Sequence, residues 1–183
     1  LIKINAILGA SAKDFGAFRD AVFNAAKATG QSFQTVAAGA GELARQGLNA
    51  AETSKRLEAA MILTRVSGLG AEQSVKALTA AINGFQSAGL TAVDVTNRLV
   101  AVDTRFAVSA QDLADGFSRA GSTAEDAGVS FNELLGLITA VEQKTARGGA
   151  VIGNAFKSIF TRLSRGKTID QLQQLGVEID ASQ

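Results

Sequence analysis

Apolar positions along the chain recur at three- and four-residue intervals, the signature of amphipathic helices. Phe15, Phe18, Val22 and Phe23 predict a helix over 12–29, with Ser11 as N-cap, Asp14 as its third-position acid and Gly30 as its stop. Phe33, Val36, Ala37, Ala40 and Leu43 predict a second over 33–46, weakened by Gly39 and Gly41 at about 1 kcal/mol each relative to Ala. From there one junction recurs: GLNAAE at 47–52, GLGAEQ at 68–73, GLTAVD at 89–94 and GVSFNE at 128–133. Each places a glycine able to close the outgoing helix, then an apolar staple, a cap, and an acid or amide at the third helical position. VSAQDL at 108–113 and STAE at 122–125 read as two further starts. The expected helices are 50–67, 71–87, 92–107, 110–120, a short 123–127, 131–146, 150–165 and 168–175. The element over 131–146 is the clearest, since Ser130 and Glu133 form a capping box and Phe131, Leu134, Leu135, Ile138 and Val141 share a face.

The fold class expected is all-α, an array of short amphipathic helices joined by tight glycine-containing turns. Residues 11–167 form its domain, residues 1–10 a lead-in, and residues 168–183 a short helix and extended tail. The 21-residue spacing of Gly47, Gly68 and Gly89 hints at a solenoid, but the period then breaks, and similar helix lengths explain it. A chain that begins at Leu1 and ends on an extended-looking stretch after Gly176 is expected to be an excerpt of a longer polypeptide.

Composition narrows the chemistry. The absence of proline suits helices and the 19 glycines deny one continuous rod. With no cysteine and no histidine there is no disulfide, no thiolate metal site and no imidazole base. Asp112, Asp115, Glu125 and Asp126 lie close in sequence, yet Asp112 and Glu125 are explained as helix-start acids that complement the dipole. No cofactor and no metal site is expected, and an enzyme is not. The formal charge is only +1, but it is unevenly placed: Lys144, Arg147, Lys157, Arg162, Arg165 and Lys167 occur with no acid between Lys144 and Ile169. This basic face meets water, a protein partner or phosphates; the lack of Tyr and Trp disfavours nucleic acid. It is expected to stand opposite Ile152, Phe156, Ile159, Phe160 and Leu163. Gly149 and Gly153 have GxxxG spacing and, with Phe156 and Phe160, are candidate close-packing residues. The motif lacks the Gly-Lys-Ser/Thr of a phosphate loop. No apolar run approaches the roughly 20 residues that span a bilayer.

An ordered series of pieces carries a resemblance: GLGAEQSVKALTAAINGF at 68–85, NRLVAVD at 97–103, SAQDLADGFSRAGSTA at 109–124, AGVSFNEL at 127–134 and FKSIFTRL at 156–163. In order and spacing, residues 4–163 resemble the conserved helical domain of the phage tail tape measure protein family. The sequence departs from that pattern at DTRFAV before Ser109, and at KTAR, 144–147, where the family has Ala-Gly-Ile. The resemblance implies a virion protein in the lumen of the tail tube, which sets tail length during assembly and leaves ahead of the DNA. The partners it implies are further copies of the chain, tail tube and baseplate or hub proteins, tail assembly chaperones, and transiently DNA or the host membrane. The locations it implies are the virion, the host cytoplasm during assembly and the host envelope on ejection. As one helix the chain would span roughly 270 Å, but its glycine junctions fold it back, so this segment is expected to be an assembly or docking module. The alternative is a membrane-perturbing helical domain that aids DNA passage through the host envelope.

Overall fold

The junction code is realised residue by residue. In the computed structural model, which describes residues 2–9, 11–163 and Gln174, the glycines at 47, 68, 89 and 128 all have positive φ. The caps that follow them hold the next helix. Asn49 and Glu52, Thr91 and Asp94, and Ser130 and Glu133 form reciprocal capping boxes, while Gly70, having no side chain, donates its own N–H to the Gln73 amide oxygen at 3.0 Å. Such caps contribute about 1 kcal/mol each and set where a helix begins.

Among the described residues there are nine α-helices: α1 (Ile2–Leu8), α2 (Ala12–Thr29), α3 (Phe33–Arg45), α4 (Ala50–Ser67), α5 (Ala71–Gly84), α6 (Ala92–Arg105), α7 (Ala110–Asp126), α8 (Phe131–Thr145) and α9 (Gly149–Leu163), with one 3-10 turn, Gln86–Ala88. The all-α expectation holds. Three details differ. Residues 2–8, expected as lead-in, form α1, which buries Ile4 and packs on α3. The helix expected over 71–87 ends at Gly84, and the 3-10 turn takes up its last residues. The two pieces expected at 110–120 and 123–127 are one helix, α7. Gly121 and Ser122 do not break it because Gly121 is pressed against Gly84 of α5, where the missing side chain permits contact. The expected helix at 168–175 and extended tail lie outside the described residues.

Three helices organise the packing, α4 and α7 with α5 between them. α4 buries Leu57, Ala59, Ala60, Met61 and Leu63, keeps its charged residues Glu52, Lys55, Glu58 and Arg65 exposed, and is flanked by α2, α3, α5 and α6. α7 packs most extensively on α9 and α5 and also touches α6 and α8. It buries Leu113, Phe117, Ala120 and Ala124. Around it, Phe85, Phe117 and Phe131 form a closed aromatic cluster with centroid separations of 4.5–5.9 Å, all at most 2% exposed. They are core rather than a ligand cage. Arg98 of α6 lies over the Phe131 ring at 5.3 Å and donates to the Asn132 side chain, tying α6 to the start of α8.

Candidate interaction surface

The start of α9 is held from outside its own sequence. A helix N-terminus presents unsatisfied N–H groups, and no Ser, Thr, Asp or Asn stands just before Gly149 to cap it. Instead the Asp112 carboxylate of α7 accepts from the Gly149 N–H at 3.1 Å, and buried Glu142 of α8 accepts from the Gly148 N–H at 2.9 Å. Asp112 also pairs with Ser109, its own helix cap. One carboxylate therefore serves two helix starts. The connection between α8 and α9 passes through Ala146 at φ 46°, a left-handed conformation in a non-glycine residue, and then Gly148 at φ 80°.

From there α9 runs alongside α7 in the same direction, Gly149 facing Asp112 and Gly153 facing Gly116. A methyl group on Gly149 would collide with the Asp112 carbonyl, and one on Gly153 would stand 2.8 Å from the Gly116 carbonyl oxygen. The small-residue face noted in sequence thus lies against α7 of the same chain. Phe156 and Phe160 stack on this side at 5.8 Å, Phe160 buried and Phe156 half-buried.

That glycine contact sets which side of α9 faces inward, and it leaves part of the expected core face outside. Ile152 and Phe160 are buried, but Ile159 is 48% and Leu163 44% exposed. With exposed Val151 and Ala155 they form a row at four-residue spacing along the outer flank. The sequence signal for this row was the width of the apolar arc on α9, broader than one packed face requires.

The expected basic residues are placed as follows. Lys144 and Arg147 are exposed at the α8–α9 connection, and Lys157 and Arg162 are exposed on α9. Five residues apart on α9, Lys157 and Arg162 point about 140° away from each other around an ideal helix. Arg162 stands within the apolar flank, about 20° from Ala155. Among the described residues no carboxylate is ion-paired with any of these four. Arg165 and Lys167 lie outside the described residues.

Three of the four carboxylates weighed as acid–base candidates have separate partners, and the fourth, Asp126, is exposed at the end of α7. Asp112 holds α9, Asp115 accepts from the Gln111 amide, and Glu125, near the far end of α7, accepts from the Ser87 N–H and hydroxyl. The Ser87 hydroxyl and then its backbone N–H hold Glu125 below the usual glutamate range. Ser130 does the same to Glu133, and Thr91 to Asp94. These shifts come from capping geometry and not from a buried catalytic pair. Among the described residues no group of three or more acidic residues, His or Cys could hold a metal ion, and no helix is long and apolar enough to cross a membrane. No solved structure matches the chain. A family model described as phage-related minor tail protein matches residues 8–183.

Proposed function

Since the chain belongs to the phage-related minor tail protein family, and so to the virion tail, we propose that it is a segment of a tail tape measure protein. In this reading the parent protein occupies the tail-tube lumen, takes part in tail assembly and length determination, and leaves ahead of the DNA. The segment itself is a folded assembly module without catalytic function. It meets other copies, tube and baseplate proteins and assembly chaperones, and transiently DNA or the host envelope. The ordered motif series from 68 to 163 supports the tape measure assignment.

The observation that carries the docking role is the fold-back. The longest helices here have 18 residues, about 27 Å, and they pack on one another. A ruler needs length per residue, and this segment gives most of its length up. The experiment is an in-frame deletion of residues 11–163 from the parent protein, with tails viewed by electron microscopy. Loss of assembled tails is the expected result, and complete tails of unchanged length would show the segment dispensable for assembly. Complete tails shortened by roughly 230 Å, the contribution of 153 residues as straight helix, would overturn it.

A further inference from the structure

Opposite surfaces of this chain fit each other. Along α2 and α4 lie two confluent cavities of about 850 and 270 Å³ that share Ala17, Ala21 and Ser54 as lining, the larger one closed at its end by Ile7 of α1, Ala44 of α3 and the turn Gly47 to Asn49. The walls are mostly small: Ala17, Ala21, Ala25 and Ala28 from α2, with Ala51 and Ser54 from α4. Small side chains let another helix approach closely. The lining also includes the carboxylates of Asp14, Asp20 and Glu58 and no lysine or arginine; Asp20 is ion-paired with Arg19 and Asp14 accepts from Ser11, while Glu58 is exposed.

The outer flank of α9 has the complementary character. Val151, Ala155, Ile159 and Leu163 supply an apolar row, Arg162 stands within it, and α9 contains no acidic residue. Lengths agree as well: the α2 row from Ala17 to Ala28 spans about 16 Å and the α9 row about 18 Å. Within one chain α9 is packed on α7 and α8, which leaves the groove to the α9 of another copy.

We propose that the α2–α4 groove of one copy receives the outer flank of α9 from a second copy. The contact is heterologous, head to tail, and so propagates into a ring or an open series instead of stopping at a two-fold dimer. Apolar burial holds it, and the opposite charges orient the approach.

The inference rests on the reading of the chain as an assembly module and is tested apart from it. Sedimentation of the 183-residue chain over a range of concentrations should show mass rising beyond a dimer, and weaker association at 500 mM than at 50 mM salt. Ala17→Arg, at an exposed groove position, blocks the acceptor. Ile159→Asp, or Leu163→Asp should the first alter the circular dichroism spectrum, blocks the donor. Each variant alone should associate at least about tenfold more weakly, while an equimolar mixture should form a one-to-one dimer through the surviving groove and flank. A parent chain monomeric throughout, a single variant that associates like the parent, or a mixture that stays monomeric would each overturn the interface. That last group includes a groove filled by residues 164–183 or by a different tail protein. None of these outcomes bears on the tail deletion, whose result stands on its own.

Discussion

Glycine has two opposite uses within this chain, and they predict opposite responses to the same substitution. Gly153 sits where α9 meets the α7 backbone, and an added methyl would lie 2.8 Å from the Gly116 carbonyl oxygen and 2.9 Å from its Cα. Neither atom is a flexible side-chain end, so the helices must separate. Gly136, exposed in the middle of α8, has nothing within 4 Å of the same methyl. Gly153→Ala is therefore expected to destabilise by about 1–3 kcal/mol despite alanine's higher helix propensity. Gly136→Ala should stabilise by about 1 kcal/mol. Urea denaturation of both variants checks the pair, and equal shifts in midpoint would contradict the α7–α9 contact. In sequence the GxxxG spacing with Gly149 marks Gly153 as a close-packing candidate, but only the distance to a neighbouring backbone shows that α7 is what it meets.

At the scale of elements, helix starts are capped partly by other helices. Asp103 of α6 accepts from the Ala110 N–H at 2.9 Å, Asp112 of α7 holds the start of α9, and Glu125 of α7 holds Ser87 within the 3-10 turn. The local caps were legible because cap and partner lie three residues apart. These long-range ones were not, since Ser87 and Glu125 are 38 positions apart and nothing in either segment announces the other. Glu125 also carries a pH consequence. The Ser87 hydroxyl and N–H lower its folded pKa from the ordinary 4.5, so its contribution is full above that value and is lost as pH falls below 4.5 through the lowered folded value. Stability of the parent should therefore decline on acidification in this window, together with the contributions of Glu133 and Asp94. Glu125→Gln should decline less steeply, as followed by urea midpoints between pH 6 and 3. An unchanged slope would mean that the Ser87 contact does not persist in solution.

For the whole molecule, stability should be graded from the three central helices outward. α4, α5 and α7 are each packed against four others, whereas α1 has seven residues and rests on α3. Amides in α4, α5 and α7 should exchange last, near the global unfolding limit, and those of α1 first. Hydrogen exchange read by mass spectrometry decides this, and protection in α1 equal to that in α7 would refute the arrangement.

The sequence by itself determined the all-α class, most helix starts and stops from α2 onward, and the absence of imidazole and thiol chemistry, since caps, periodicity and residue types act over a few positions. It also carried the family resemblance, because that lies in ordered local motifs. Only the tertiary structure decided that α7 runs unbroken past Gly121 and that Ile159 and Leu163 face outward. Each of these depends on which backbone a glycine touches. That is a matter of distances between segments far apart in the chain, which periodicity along one helix does not encode.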